Sequence, residues 1–379
     1  MARKTNCTKN GVAYYRLTAT VGHKPDGKPK RKEFYGKSKK EAESKRDEYL
    51  EGIRKGLDAG YEKIEFRSLF TEWLNEVHKP TIKQSTYNRY ESLYRIWITP
   101  AHYFLKPVIQ IKSIDIQKHI NTIPSPDTAM RVYNLQATFF KYCIKERLII
   151  YNPLDNVNLP KIEEKTDKKN LNNDDVDKLL RAFKTDSSLL VFVFDMITGL
   201  RVGELCALTV NDIDLDSLMI NVDSSLNRVS FLEDDGKKRT RTVIGPPKTK
   251  ASTRKVPIAK ELVRPLKEHI RNEKAKHLRL GVRYTKDSPF FSSQVCTSLR
   301  ADHLNTRWKK IQNSIGIDQT ISFHKLRHTF ATLCAKRGVQ ITAARDLLGH
   351  DTIETTAKIY THVDKEMREE AIDLVGSII

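Results

Sequence analysis

The chain has 379 residues, enough for two or three compact units of the usual roughly 100–200 residues each. Its 67 Lys and Arg outnumber 47 Asp and Glu to give a formal net charge of +20, the footprint of a protein that meets a polyanion, and nucleic acid is the expected partner. No run of about 18 apolar residues and no apolar leader behind MARKTNCTKN argue against a spanning helix and a secretory signal, so a cytoplasmic protein with no membrane partner is expected. Five cysteines without a C-x-x-C pair speak against a disulfide framework and a zinc module.

Residues 1–60 hold 16 basic and 8 acidic residues, a dense positive head. Within it Val12 to Val21 (VAYYRLTATV) alternates as a strand does, His23 to Lys28 turns, and Arg31 to Tyr35 resumes the pattern. A charged helix then starts at Ser38, its N-cap, with Glu41 as capping-box partner. A small three-stranded sheet plus one helix is expected for this first domain, although residues 1–9 also read as a basic tail.

From Phe66 to Pro160 the chain reads as four or five helices broken at prolines, and Met130 to Ile144 places apolar residues three and four apart. This predicts an all-α domain over 61–165, closed by the charged linker Lys161 to Asn170. Beyond it, Asn172 or Asn173 caps a helix through Leu179 and Phe183, and a second runs from Leu189 to Gly199. Ile213 to Val222, Arg241 to Ile244 and Arg254 to Ile258 are strand-like, and helices return from Glu261. The third domain, 166–379, is therefore mainly α with a small antiparallel sheet, and the whole is an α+β multidomain chain.

Three blocks in this last domain carry chemistry only in combination, since a lone Arg, His or Tyr is usually structural. Thr198-Gly199-Leu200-Arg201-Val202-Gly203-Glu204-Leu205 puts Arg201 between a helix-ending glycine and a new helix, with Glu204 one turn away to brace it. In Ser322-Phe323-His324-Lys325-Leu326-Arg327-His328-Thr329, His324 and Arg327 lie three apart at a helix start, which favours an anion. His350 closes Leu347-Leu348-Gly349-His350, and Tyr360 follows in Ala357-Lys358-Ile359-Tyr360-Thr361-His362.

In order and spacing these blocks, over roughly residues 195–362, resemble those of the tyrosine recombinases, the family of phage lambda integrase and of conjugative-transposon integrases. The resemblance implies catalytic roles for Arg201, His324, Arg327, His350 and Tyr360, the last as the nucleophile that forms a 3′-phosphotyrosine without metal, ATP or other cofactor. It also implies a hairpin lysine: in Pro247-Lys248-Thr249-Lys250-Ala251-Ser252-Thr253-Arg254-Lys255-Val256-Pro257, Lys248 is the first choice and Lys250 the second. No metal ligation is expected, because His324, His328, His350 and His362 lack H-E-x-x-H spacing and clustered carboxylates.

From the same resemblance, the head holds arm-type DNA sites and the helical domain holds core-type sites. Tyr14, Arg16, Lys28, Lys30, Arg31 and Lys32 are the candidate contacts in the head, Lys83, Thr86, Arg89 and Lys141 in the helical domain, and Arg254 beside the hairpin lysine. The stretch Ser224 to Gly245 is a departure from a minimal hairpin, a flap for DNA or for a partner. The apolar residues after Tyr360, from Met367 to Ile379, pack at home or on a neighbour; the resemblance favours the neighbour, and with it a ring of four on two duplexes joined through a Holliday junction. An excisionase and a host DNA-bending protein are the helpers it would admit. The expected activity is integration and excision of a mobile element. A DNA-binding regulator lacking chemistry would have lost catalytic positions that are all filled here, and a type IB topoisomerase would not need the basic head.

Overall fold

The computed structural model describes residues 6–9, 11–23, 28–54, 57, 61–161, 170–232, 238–246, 250–361 and 363. The chain divides into two compact units, Met1–Glu163 and Glu164–Ile379, so the head and the helical segment fall within the first.

The first unit opens with β1 (Cys7–Lys9), β2 (Val12–His23) and β3 (Pro29–Gly36), antiparallel in that order, followed by α1 (Lys39–Arg54). β1 falls in the segment that also reads as a tail. It holds by pairing Cys7 with Tyr14, while the Asn6 amide clamps the Arg16 backbone, accepting from its N–H at 2.5 Å and donating to its carbonyl at 3.0 Å. α1 starts as its sequence dictates: the Glu41 N–H donates to Ser38 Oγ, and the Glu41 carboxylate accepts from the Lys37 N–H at 2.7 Å. Val21, Phe34, Tyr49 and Leu57 are buried between sheet and helix.

The helical part comprises α2 (Phe66–Glu72), α3 (Gln84–Leu93), α4 (Ser113–Ile120) and α5 (Pro126–Lys145). Its core is aromatic: Phe66, Phe70, Phe139 and Phe140 interlock, with Phe70 and Phe139 centroids 4.7 Å apart. α5 supplies the face predicted from Met130 to Ile144, burying Val132, Leu135, Phe139, Phe140 and Cys143.

The second unit begins with α6 (Asn173–Thr185), where the Asp175 N–H donates to the Asn172 side chain at 2.8 Å. α7 (Leu190–Thr198) is apolar nearly all round and buried, and α8 (Val202–Ala207) follows after a three-residue break. The strand expected from Ile213 to Val222 is two strands, β4 (Ile213–Asp214) and β5 (Met219–Val222), because the Asp214 carboxylate accepts from Asp216 N–H, Ser217 N–H and Ser217 Oγ and so closes a tight turn. The departure at Ser224 to Gly245 is a separate hairpin, β6 (Ser225–Leu232) with β7 (Lys238–Gly245), in register from Ser225–Gly245 to Leu232–Lys238. β8 (Arg254–Pro257) returns to β5, completing a sheet ordered β4-β5-β8.

Helices α9 (Val263–Arg279), α10 (Ala301–Ile315), α11 (Lys325–Lys336), α12 (Ile341–Leu348) and α13 (353–361) complete the unit. Phe192, Phe194, Phe290, Phe291, Trp308 and Phe323 fill its core, and the buried Trp308 indole donates to the Ile321 carbonyl at 2.9 Å. This is the mainly helical domain with a small antiparallel sheet that the sequence predicts. Among the described residues no helix is long and apolar enough to cross a membrane, and no group of three metal-ligating side chains occurs.

Candidate active site

α7 ends at Gly199 with a left-handed φ of 63°, and a Cβ there would lie 2.5 Å from the Phe330 ring. Only glycine turns the chain so abruptly at that spot. Two residues on, Arg201 precedes α8. Its Nη1 donates to Glu204 Oε1 at 2.8 Å and to Ser252 Oγ at 3.0 Å, and its Nη2 to the Gly349 carbonyl at 2.6 Å.

Glu204 is the brace, but for two arginines. Its other oxygen accepts from Arg254 Nη2 at 3.0 Å and from the Arg201 N–H at 2.9 Å. Burial alone would raise this carboxyl; Arg254 and Arg201 outweigh that and hold it below its ordinary value. Arg327, 4% exposed on α11, donates from Nη1 to the Gly199 carbonyl and from Nη2 to the Leu348 carbonyl, both at 2.7 Å.

Three guanidiniums thus take three successive carbonyls at the end of α12: Arg254 Nε binds Leu347 at 2.6 Å, Arg327 binds Leu348 and Arg201 binds Gly349. Those carbonyls have no partner inside a helix and sit at its negative end, which is where cations belong. Gly349, with φ 64°, makes the approach possible, since a Cβ would meet Arg254 Nη1 at 2.9 Å and the Ala251 carbonyl at 3.1 Å.

The next residue, His350, is fixed by Nδ1 against Thr356 Oγ1 at 2.9 Å. His324 stands at the start of α11, and its ring meets that of His328 edge to face, 5.1 Å between centroids. Arg201, His324, Arg327, His328 and His350 converge on a cavity of about 270 Å³, whose far wall is Thr355 and Ile359 of α13. Burial, then the neighbouring Arg327 and Arg201, push His350 down to about 4. Burial and Arg327 also lower His324, and burial with His324 takes His328 to about 4. These imidazoles are therefore neutral near pH 7. Arg327 is lowered to about 9 by burial and then by Arg201, which leaves it charged at neutral pH.

Tyr360 does not line this cavity. Its hydroxyl donates to the Val339 carbonyl, between α11 and α12, at 2.9 Å. Burial, and next Cys334, keep its phenol above the ordinary value, hence protonated. Lys248 lies outside the described residues, as do His362 and the tail beyond Val363; of Lys250 the backbone is described, in a turn Lys250–Ser252.

Two of the expected DNA contacts are placed differently. Arg254 is a buried brace, its side chain 7% exposed and bonded to Glu204, Leu347 and Ser252. Lys32 turns back within its unit, paired with Glu62 and 3.7 Å above the Tyr49 ring, because an aromatic face and a carboxylate lie within reach of its stem. Tyr14 is half-buried edge-on to Tyr35, and Arg16 pairs with Glu33 at 3.1 Å on the surface. Lys28, Lys30, Arg31, Lys83, Arg89 and Lys141 are exposed, and Thr86 is partly so. Ser252 lies in the hairpin stretch singled out for its lysine, whereas Thr356 and the carbonyls of residues 347–349 have no sequence signal beyond Gly349 as a helix stop.

A family model described as the phage integrase family matches residues 169–367, and one described as the phage integrase N-terminal SAM-like domain matches 65–123. A tyrosine recombinase XerC-like protein of Caldanaerobacter subterraneus subsp. tengcongensis is 35% identical over 390 residues, covering 100% of both chains. The ICEBs1 integrase of Bacillus subtilis is 28% identical over 74% of each chain. Among solved structures, the Tn1549 transposon integrase in complex with a circular intermediate DNA shares the fold with a TM-score of 0.65 at 22% identity, covering 81% of this chain and 99% of that one. A lambda integrase tetramer bound to a Holliday junction gives 0.55 at 18% identity, over 93% and 96%. With an integrase model matched across the unit that holds the arginine–histidine cavity, and a full-length relative at this identity, the chain belongs to the phage integrase family and is a tyrosine recombinase.

Proposed function

We propose that this recombinase integrates and excises a mobile element of the conjugative-transposon kind, cutting each strand with Tyr360 and resealing it to a new partner through a Holliday junction. The observation that carries the reading is the convergence of Arg201, His324, Arg327 and His350 on one cavity walled by the helix that bears Tyr360. A phosphodiester resists attack because its charge repels the nucleophile and its alkoxide leaves poorly. Arg201 and Arg327 answer the first difficulty by neutralising the equatorial oxygens as charge builds, in a site already organised by protein carbonyls and Glu204.

In this mechanism the Tyr360 oxygen bonds to phosphorus and the bond to the 5′-oxygen breaks. His324 receives the phenolic proton, His350 hydrogen-bonds the phosphate, and the hairpin lysine, Lys248 in preference to Lys250, protonates the 5′-oxygen. Bond energy is stored in the phosphotyrosine, so no ATP is consumed. The head over 1–60 takes arm-type sites through Tyr14, Arg16, Lys28, Lys30 and Arg31, and the helical segment 61–165 clamps core-type sites through Lys83, Arg89 and Lys141, leaving 166–379 for chemistry. Four copies act together on paired duplexes, with an excisionase and a host DNA-bending protein as helpers. Support for the mobile-element reading comes from the transposon and ICEBs1 integrases among its likenesses, and for the fourfold assembly from the lambda tetramer.

The test is a nicked suicide duplex carrying the element's own ends. The wild-type chain forms a covalent adduct, and Tyr360→Phe binds the duplex but forms none. A persistent adduct on the variant, or supercoil relaxation without strand exchange by the wild type, overturns the reading.

A further inference from the structure

His328 has no role in the steps above, yet it lines the arginine–histidine cavity and also a second cleft of about 880 Å³. That cleft is bordered by Asp175 of α6, Lys325 and Lys336 of α11, and Glu354 and Lys358 of α13. Thr355 and Ile359 line both spaces too, so His328 is the one titratable side chain shared by the two. It sits one helical turn from His324, with the rings 5.1 Å apart at 87°.

A proton taken up by His324 faces Arg327, Lys325 and Arg201, all positive, and an imidazolium among them is disfavoured. With a duplex seated on the cavity mouth, the direct way to water is also covered. We propose that His328 is a proton relay that carries the Tyr360 proton from His324 to water in the Asp175–Glu354 cleft. This rests on the reading in which Tyr360 attacks the phosphate. The Tyr360 oxygen–phosphorus bond forms and the phosphorus–5′-oxygen bond breaks. The phenolic proton passes to His324, which gives up a proton from its other nitrogen to His328, and His328 releases one to cleft water. Resealing runs the same steps backwards. Rotation about the soft second side-chain torsion of either ring, or one water, brings the nitrogens into line. Among the residues lining the two spaces, carboxylates stand on the cleft side only. Towards the cavity stand His324, His350, Arg201 and Arg327; towards the cleft, Lys325, Lys336 and Lys358 are joined by the carboxylates Asp175 and Glu354.

The experiment is single-turnover adduct formation by the full chain on the suicide duplex, as a function of pH and of added imidazole. His328→Phe keeps a ring against His324. It is expected to bind DNA as the wild type does, cut about tenfold more slowly at pH 7, less than the roughly 10²–10⁴ of a direct general base, and recover with rising imidazole. Should the phenyl disturb folding, His328→Asn gives the same readout. Wild-type rates at every pH, or a loss that imidazole does not restore, overturn the relay alone. A wild-type chain that forms no adduct overturns the recombinase reading and the relay with it.

Discussion

Glu204 holds two cations with one carboxylate, 1% exposed in its side chain, against Arg254 at 7%. Removing one partner of such a buried pair strands the other charge and costs about 3–5 kcal/mol. Glu204→Gln is therefore expected to lower the denaturant midpoint of unfolding by a corresponding amount and to slow adduct formation severely while DNA affinity changes little. Acidification strikes the same cluster twice. His328 and His350 stay neutral in the fold down to about 4, while the unfolded chain binds protons from about 6.5, so stability falls as pH drops through that window. Glu204, held below its ordinary value in the fold, adds a loss of its own as pH falls below the usual carboxylate range and its carboxylate takes a proton. A melting-temperature series between pH 7 and pH 3 reads the combined loss. At this scale the sequence announced the cavity's two arginines and two of its histidines, because residue type, order and a helix stop suffice to find them. The pairing of Arg254 with Glu204 and the stacking of Lys32 on Tyr49 were not legible, because these partners lie 50 and 17 positions away and only folding brings them near.

At the scale of elements, the end of α12 organises the site, since its last carbonyls orient all three arginines. Gly349→Ala imposes a left-handed strain of about 1–2 kcal/mol and pushes a methyl against Arg254. Adduct formation is expected to drop far more than thermal stability does, which paired calorimetry and suicide-substrate rates measure. Caps helped to place two helices: Ser38 accepts from the Glu41 N–H as expected, while Glu41 reaches the Lys37 N–H, and of the two asparagines before α6 it is Asn172 that caps, paired with Asp175. Strands were harder. β1 is three residues whose only reason to extend is β2 beside it, and the run from Ile213 to Val222 reads as continuous until the Asp214 side chain is seen folding the turn.

On the scale of the molecule, two compact units each carry their own core, one aromatic around Phe66 and one around Phe192 and Trp308. Residues 164–379 alone are expected to melt in one cooperative transition; a fragment without one would show that its core depends on the rest. The net charge of +20 makes affinity for DNA fall steeply with salt, as phosphate contacts release counterions. A chain lacking residues 1–60 should show a shallower slope of log affinity against log salt in a binding titration. An unchanged slope would remove the head from DNA contact. Charge and composition spoke plainly for DNA, whereas the joining of head and helical segment in one unit depends on long-range packing that no local pattern encodes.

The hydrogen bond from Tyr360 to Val339 has a mechanistic corollary. Under the proposed chemistry the Tyr360 phenol must leave this carbonyl before it reaches a phosphate. A neutral hydrogen bond of this kind contributes only about 1 kcal/mol, so it sets the resting position of the phenol without locking it there.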